Sequence, residues 1–331
     1  MSSTNVTAKS PEPWTDAAAA VIHLCESWAV GATSSANFHF YLFGSAIYRG
    51  GEQFNSLESD IDIVCEFPSN GDALGRAKQM ICLRSAKQHL EMKVLSELHR
   101  TSCAEPAASF VAATPLEIGA NVHKSASRSF FDRNIFYDLL AKKQAFGLTS
   151  AGTHVMRDDG LRQALEYVQR IRNDYLAVCA NATGGLREFS GTDPMPKALL
   201  RSAAQVAPGA ADGEWYDTRR GLEELDALLR ARRTEEPAWN SLYDKVSVRR
   251  GDRGLRRSLT AEDQLLLAEM LYDRVLDAAK PEPLVNWGIR VKGLTSREQF
   301  SEAVQRMLPD AKVIGPSPGG DVLTIRSTEI G

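Results

Sequence analysis

The strongest constraint on the fold of this chain comes from two short apolar segments that adjoin small or acidic residues. Segment 38–43 (FHFYLF) is strongly apolar and leads directly into Gly44 and Ser45. Successive side chains of a strand point to opposite faces of a sheet, and a short apolar run with this alternation is typical of a largely buried strand. The sequence therefore predicts a strand that ends at two small residues.

The second segment, 59–65 (SDIDIVC), alternates acidic and apolar residues. In a strand, Asp60 and Asp62 share one face, while Ile61 and Ile63 pack into the core on the other. Two carboxylates about 6–7 Å apart repel each other unless a cation lies between them. Carboxylate oxygens are preferred ligands of hard divalent ions such as Mg²⁺. The segment therefore predicts a metal-binding pair.

Gly44 and Ser45 are suited to holding phosphate. A glycine lets backbone N–H groups approach a phosphate closely, and a serine hydroxyl can donate a hydrogen bond to it. Phosphate contacts beside metal-binding carboxylates are what an enzyme needs to transfer a group at phosphorus. Asp60 and Asp62 alone also fit a half-exposed edge strand, so it is the Gly-Ser pair upstream that favours the catalytic interpretation.

Together, segments 43–45 (FGS) and 60–62 (DID) resemble the signature of the DNA polymerase β-like nucleotidyltransferase superfamily. That signature is a hydrophobic residue, Gly-Gly or Gly-Ser, a spacer, and Asp-x-Asp or Asp-x-Glu on a strand. The spacer here is a few residues longer than usual, so the loop 48–57 is expected to hold a small insertion. The resemblance covers residues 38–125 well, and the helical half only by architecture.

The resemblance implies a third carboxylate on a later strand. Glu117, in segment 116–122 (LEIGANV), is the candidate for it, although the family more often has Asp there. Asp60, Asp62 and Glu117 are then the catalytic residues and also the ligands of two Mg²⁺ ions, with Mn²⁺ as an alternative.

The resemblance also implies a set of residues that bind the nucleoside triphosphate. Lys197 and Arg201 share one face of a predicted helix in the second domain, from which a basic residue of this family often reaches the triphosphate. The residues expected to bind the nucleotide are Gly44, Ser45, Arg49, Ser59, Lys197 and Arg201.

The pattern along the chain predicts an α/β (α+β) nucleotidyltransferase core with a mixed sheet, a helical domain and a small C-terminal βαββ module. We expect a flexible leader over 1–13, the nucleotidyltransferase domain over 14–127, the helical domain over 128–280 and the small module over 285–331. Apolar residues at helical spacing predict helices over 14–31, 71–100, 129–146, 160–181, 195–206, 217–233 and 260–279. Further strands are predicted over 109–113, 116–122, 288–292, 311–314 and 322–325, with one more helix over 296–307.

Composition argues against several other classes of protein. The formal net charge of −3 argues against a general coat of positive charge for long nucleic acid. The 5 cysteines are scattered without CxxC and the 6 histidines lack metal-binding spacing, so hydrolytic zinc chemistry is not expected. No apolar run is long enough to cross a bilayer, and the leader lacks the apolar core of a signal peptide. We therefore expect a cytoplasmic protein with no membrane partner.

The sequence leaves the acceptor of the nucleotidyl group open. Bacterial defence-signalling nucleotidyltransferases, which make oligonucleotides or signalling nucleotides, resemble this layout. A basic stretch over 245–257 can hold a polynucleotide backbone, or can equally be a solvated loop or a docking patch for an effector protein. Its basic residues are Lys245, Arg249, Arg250, Arg253, Arg256 and Arg257.

Two alternatives come from other functional classes. Aminoglycoside adenylyltransferases carry a similar Gly-Ser-Ala and Ser-Asp-Ile-Asp pattern, and an antitoxin-like binding protein would keep the fold and sequester a partner. A cationic drug requires an acidic pocket, so the basic stretch favours the oligonucleotide hypothesis. Intact carboxylates argue against the binding protein.

Overall fold

The computed structural model describes residues 13–33, 37–69, 71–100, 106–149, 159–180, 186–188, 197–208, 217–246, 259–279, 312–316 and 323–326. The chain divides into two compact units, residues 1–278 and residues 279–331. The larger unit holds the central sheet, the aspartate pair and the helices that pack around them.

A five-stranded mixed sheet with the order β3-β2-β1-β4-β5 forms the centre of the larger unit. Its strands are β1 (His39–Phe43), β2 (Ile61–Glu66), β3 (Ala108–Ala113), β4 (Ile135–Asp138) and β5 (Lys143–Phe146). β1 is antiparallel to β2 and β4, β2 is parallel to β3, and β4 is antiparallel to β5. The mixed sheet is confirmed, as are the strands expected over 38–43, 59–65 and 109–113.

The described helices of the larger unit surround this sheet. They are α1 (Asp16–Thr33), α2 (Ala73–Glu97), α3 (Pro115–Gly119), α4 (Phe130–Arg133), α5 (Asp159–Leu176), α6 (Lys197–Gln205), α7 (Thr218–Arg232), α8 (Pro237–Val246) and α9 (Ala261–Ala279). α1, α2, α5, α6, α7 and α9 confirm helices expected from apolar spacing. α8 and the hairpin of β6 (Val178–Ala180) and β7 (Leu186–Glu188) were not expected.

The two faces of the sheet pack into different cores because the strands alternate. Phe40 of β1 and Ile63 of β2 are wholly buried in a large core that includes residues of α1, α2, α5 and α9. Val64 of β2 and Val111 of β3 face the other side, in a smaller core that Ile118 of α3 completes. Asp62 lies on the same face as Val64, so the aspartate side chain points to the side with the smaller core.

The strand predicted over 116–122 is wrong, because this segment begins within the short helix α3. Thr114 is the N-cap of α3 and Pro115 lies in its first turn. The Thr114 backbone N–H donates to Glu117 Oε2 at 2.8 Å, and the Glu117 backbone N–H donates to Thr114 Oγ1 at 3.4 Å. This reciprocal pair is a capping box, and proline at the first helical position sacrifices no intrahelical hydrogen bond. These residues therefore favour the start of a helix over a strand.

The helix predicted over 129–146 is also wrong. The segment contains the single turn α4 and then the hairpin of β4 and β5. Tyr41 of β1 pairs with Asp138 of β4, and Leu42 pairs with Tyr137. The sheet therefore continues past residue 127, the expected end of the first domain, because β4 pairs with β1 across a long stretch of chain and β5 pairs with β4.

The smaller unit contains β8 (Lys312–Pro316) and β9 (Leu323–Arg326), which pair antiparallel, among its described residues. They correspond to the strands expected over 311–314 and 322–325. The strand expected over 288–292, the helix expected over 296–307 and the leader up to residue 12 lie outside the described residues. In the described part of the chain, no helix is both long enough and apolar enough to span a membrane.

Candidate active site

The two aspartates expected to bind metal lie at the start of β2. Asp60 is exposed and immediately precedes the strand, and Asp62 is partly buried within it. Asp62 is paired in register with Phe43, the last residue of β1, and with Ser109 of β3. Burial, followed by the negative charge of Asp60, raises the pKa of Asp62 to about 6. A carboxylate pair that resists ionisation in this way is stabilised by a bound cation.

Gly44 follows β1 and brings the backbone against the Asp62 carboxylate. Its φ is +79°, in the left-handed region that favours glycine. A Cβ at this position would lie 2.5 Å from Asp62 Oδ2, closer than a side chain can approach. Gly44, Ser45 and Ala46 form a 3₁₀ turn, and the Ile47 N–H donates to the Gly44 carbonyl at 3.2 Å. The Gly-Ser turn and the aspartate pair are therefore direct neighbours.

Arg49 and Ser59 lie in the loop between β1 and β2. Arg49 is exposed, has a φ of +49°, and its guanidinium lies 5.3 Å from the centre of the Tyr48 ring. The Asn55 backbone N–H donates to the Ser59 hydroxyl oxygen at 2.9 Å, and Arg100 donates to the Ser59 carbonyl at 2.6 Å. Ser59 therefore holds the end of the loop from which β2 begins.

Glu117 does not take the position expected of a third metal ligand. Its side chain is wholly buried, and Arg172 Nη1 donates to both of its carboxylate oxygens, at 2.9 Å and 2.7 Å. The Thr114 hydroxyl donates to one of these oxygens as well, at 2.9 Å. Among the described residues, no group of three or more His, Cys, Asp or Glu side chains is placed to hold a metal ion. Because its oxygens bind Arg172 and Thr114, we interpret Glu117 as a structural residue.

Arg172 connects Glu117 to a buried network of ion pairs that joins the sheet to the helices. Arg172 Nε and Nη2 donate to the Glu269 carboxylate of α9 at 2.6 Å and 3.0 Å. Arg76 of α2 donates to the same carboxylate at 2.9 Å and also pairs with Asp273. Burial lowers the pKa of Arg172, but the charges of Glu117 and Glu269 outweigh that effect and raise it. Buried charges persist only where they are paired in this way.

Lys124, which the sequence analysis did not single out, acts electrostatically on Asp62. Burial and Asp60 raise the pKa of Asp62, and the positive charge of Lys124 opposes them. Lys124 Nζ donates a hydrogen bond to Asn173 Oδ1 at 2.5 Å. Burial lowers the pKa of Lys124, and the carboxylates of Asp62 and Asp174 partly offset that effect. Lys124 therefore belongs to the same charged cluster as the aspartate pair.

His123 packs beside Lys124 as a neutral ring. Burial, with the charge of Lys124, lowers the pKa of His123 to about 4. The Ser125 backbone N–H donates to His123 Nδ1 at 3.3 Å, and the Ser125 hydroxyl oxygen lies 2.7 Å from the same nitrogen. The ring stacks on Phe130, with ring centres 3.9 Å apart. His123 therefore contributes packing rather than charge beside Lys124.

A small pocket of about 120 Å³ opens beside Asp60. Ser109 of β3, Asn173 of α5 and Lys87 of α2 also line it. The Lys87 ammonium donates to Glu91 Oε1 at 2.9 Å, so a buried ion pair supports the pocket wall. The pocket is much smaller than the roughly 300–1,000 Å³ that a drug-sized ligand needs. It therefore fits a single small group next to the aspartates.

The donor set at the aspartate pair fits Mg²⁺ or Mn²⁺, because both ions favour carboxylate oxygens. Burial, followed by the charge of Asp60, raises the pKa of Asp62, so a bound cation would stabilise the ionised pair. Ser109 occupies the position on β3 beside Asp62, so the neighbouring strand offers a hydroxyl there. The described residues thus supply two neighbouring carboxylates, whereas three were expected.

The basic residues expected to bind nucleotide or polynucleotide are placed on the helices or outside the described residues. Lys197 and Arg201 are exposed on α6, which packs against α5 and α7. Lys245, near the end of α8, donates to Asp263 Oδ2 at 2.6 Å. The other basic residues of the stretch 245–257 lie outside the described residues: Arg249, Arg250, Arg253, Arg256 and Arg257. The roles of all these residues stay predictions.

Comparison with known proteins gives a family for this arrangement. Residues 24–277 match the family model of Pol beta superfamily nucleotidyltransferases in conflict systems. Neither the comparison with curated proteins nor that with solved structures gave a significant match. The matched range includes the Gly44 turn, the aspartate pair, Lys124 and most of the described helices. On its sheet, its aspartate pair and this match, the chain belongs to the Pol beta superfamily nucleotidyltransferases of conflict systems.

Proposed function

We propose that this chain is a metal-dependent, template-independent nucleotidyltransferase that moves an NMP or dNMP group from a nucleoside triphosphate to a hydroxyl group. The observation that carries the proposal is the position of Gly44, whose backbone lies against the carboxylate of Asp62, next to Asp60. Membership of the family supports nucleotidyl transfer in general. The Gly-Ser turn and the two aspartates are the groups that this chemistry needs at one place.

Asp60 and Asp62 would hold the divalent cation, Mg²⁺ or Mn²⁺. Bound there, such an ion supplies positive charge to the triphosphate and to the phosphorus under attack. The backbone N–H groups of the turn Gly44–Ala46 and the Ser45 hydroxyl would contact the β- and γ-phosphates. Further candidates for triphosphate contacts are Arg49, Ser59, Lys197 and Arg201.

The proposed reaction is an in-line displacement at the α-phosphorus. The acceptor hydroxyl oxygen forms a bond to this phosphorus, and the bond between the phosphorus and the bridging oxygen breaks. Pyrophosphate leaves with the electron pair of that bond, and the hydroxyl proton passes to water. The pocket beside Asp60, with Ser109 and Asn173 in its wall, would receive the hydroxyl-bearing group of the acceptor.

We propose further that the product is an oligonucleotide or signalling nucleotide that serves bacterial defence. The family of conflict-system nucleotidyltransferases supports a defence role. The basic stretch 245–257 supports a polymeric product or acceptor, because Lys and Arg side chains neutralise backbone phosphates and release counterions. If that stretch holds a growing strand, elongation weakens steeply as salt rises, while the first addition does not.

The decisive experiment incubates the full chain with each labelled NTP and dNTP in Mg²⁺ or Mn²⁺ and resolves the products by size. A ladder of products is expected from the wild type, and none from Asp60→Asn or Asp62→Asn. Replacing Arg249, Arg250 and Arg253 by Ala should shorten the ladder and flatten its salt dependence. A single adduct on an added aminoglycoside would instead support small-molecule adenylylation. Equal transfer by wild type and both aspartate variants would contradict the proposal.

A further inference from the structure

The loop 120–126, which follows α3 and carries Lys124, is held in place by side chains of α5. Arg162 donates to the carbonyl of Ala120 at 2.9 Å and to that of Asn121 at 3.1 Å. Gln169 donates to the Val122 carbonyl at 2.7 Å. Three successive carbonyls of the loop are thus bound by one helix, which fixes the path of the backbone toward Lys124.

The backbone of this loop adopts conformations that need such support. Ala126 has a φ of +62°, in the left-handed region that residues with a Cβ rarely enter, and Asn121, with a φ of +52°, is one of the few residue types that tolerate it. The Asn121 side chain accepts a hydrogen bond from the Phe131 backbone N–H at 2.9 Å. Unfavourable backbone conformations that the surroundings enforce are concentrated at functional sites. The conformation of the loop is therefore suited to holding Lys124 in a fixed position.

Lys124 is what this loop positions. Its ammonium is fixed by Asn173, which lines the pocket together with Asp60 and Ser109. Ser109 in turn is the register partner of Asp62. Burial lowers the pKa of Lys124, while Asp62 and then Asp174 raise it. The cation is thus held within the cluster that contains both aspartates.

We propose that Lys124 is a positioning residue whose ammonium acts as the counter-ion of the Asp62 carboxylate in the cation-free enzyme. A divalent ion must then displace this ammonium from the carboxylate in order to bind. The inference rests on the proposed function, because it takes Asp60 and Asp62 as the cation ligands. A fixed positive charge stabilises an ionised carboxylate and repels an incoming divalent ion. Lys124 therefore weakens cation binding in the absence of nucleotide, and the triphosphate supplies the negative charge that later pairs with the lysine.

The test measures binding of Mn²⁺ alone to the full chain, by electron paramagnetic resonance of free Mn²⁺ at a pH near 8. Lys124→Gln keeps a hydrogen-bonding group for Asn173 but removes the charge, and it should bind Mn²⁺ roughly tenfold more tightly than the wild type. Lys124→Arg keeps the charge and should bind like the wild type. The matched control is Lys142→Gln, whose ammonium pairs with Glu26 at 2.9 Å on the surface, and it should change nothing.

The direction of the change separates this role from a purely structural one. A variant that merely disturbs the fold of the site loses Mn²⁺ affinity, whereas the proposal requires a gain. Unchanged or weaker Mn²⁺ binding by Lys124→Gln would overturn the inference. Asp62→Asn tests the proposed function in the same assay: if it binds Mn²⁺ as well as the wild type, the metal site itself is misassigned. If Asp62→Asn loses binding and Lys124→Gln gains none, only the counter-ion inference fails.

Discussion

The Cα of Gly44 lies against the carboxylate of Asp62 so closely that a Cβ would stand 2.5 Å from Asp62 Oδ2. Glycine is therefore required at this position for two reasons: its φ is +79°, and the Asp62 carboxylate leaves no space for a Cβ. A residue with a Cβ fits at position 44, directly after β1, only if the Asp62 side chain moves. This contact couples the Gly-Ser motif to the Asp-x-Asp motif, which are separate in the sequence.

Gly44→Ala should therefore damage both stability and activity. The left-handed backbone costs about 1–2 kcal/mol for a residue with a Cβ, and Asp62 must rotate away from its position. Chemical denaturation and a nucleotidyl-transfer assay measure the two effects. The matched control is Gly31→Ala in α1, where a Cβ meets nothing within 4 Å, and there helix propensity should slightly stabilise the protein. Full activity in Gly44→Ala would contradict the proposed role of the contact.

Asp60→Asn and Asp62→Asn should each abolish transfer without unfolding the protein. Losing charge stabilisation of several kcal/mol at the reacting phosphorus lowers the rate roughly a thousandfold or more. Burial, followed by the negative charge of Asp60, raises the pKa of Asp62; each variant removes one charge from this pair, so the metal-free variants should be at least as stable as the wild type. Steady-state kinetics and thermal unfolding test both statements. A large loss of stability would indicate that the aspartates are structural.

The free energy of unfolding of the metal-free protein should change with pH because Asp62 titrates. Its pKa rises from 3.8 to about 6 on folding, so between these values the folded chain retains a proton that the unfolded chain has lost. The contribution of Asp62 to the free energy of unfolding is therefore greatest at low pH and falls as the pH rises from about 4 to about 6. Urea denaturation across this range should show that Asp62→Asn removes the fall.

The response to Mg²⁺ should have the opposite dependence on pH. The cation binds the ionised carboxylate, so the increase in Tm on adding Mg²⁺ should grow as the pH rises through about 6. Thermal unfolding at a series of pH values, with Mg²⁺ or with a chelator, measures this difference. An increase in Tm that is independent of pH, or that persists in Asp62→Asn, would assign the Mg²⁺ effect to another site.

Glu117→Gln should destabilise the protein and leave Mn²⁺ affinity of the folded form unchanged. Breaking a buried ion pair from one side costs about 3–5 kcal/mol, because the remaining charge is left without its partner. Here that charge is Arg172, which donates to Glu117 at 2.7 Å and 2.9 Å and would keep only Glu269, a carboxylate that it shares with Arg76. Denaturation and Mn²⁺ titration of the same preparation distinguish the two roles. Wild-type stability with lost Mn²⁺ binding would restore Glu117 as a metal ligand.

Local patterns in the sequence were sufficient to predict the three strands that surround the candidate site. Short apolar runs predicted β1, β2 and β3 correctly, because a strand that is buried largely on both faces shows such a run directly in the sequence. The Gly-Ser pair and the aspartates are marked by residue type and by position at strand ends. The start of α3 was also readable, because segment 114–117 (TPLE) has the residues of a capping box with proline at the first helical position. The apolar residues that follow this signal alternate as in a strand and therefore favour the wrong element.

Contacts between distant segments account for what the sequence did not reveal. Lys124 becomes part of the site only because Asn173 of α5 binds it from 49 residues away. Glu117 becomes structural only because Arg172 reaches it from 55 residues away. The strand β4 owes its place to pairing with β1, and β5 to pairing with β4, while their own sequence has apolar residues at helical spacing. Spacing along the chain carries no information about such partners.

The buried ion pairs make the stability of the central sheet depend on helices that follow much later in the chain. A fragment that ended at residue 127 would keep Glu117 and Arg76 but lose Arg172 and Glu269, the partners that neutralise them. Water would have to solvate those charges, and the remaining sheet would also lack two of its strands. The sheet and the helices of the larger unit should consequently unfold in a single cooperative transition. The first 127 residues should not fold as an independent domain.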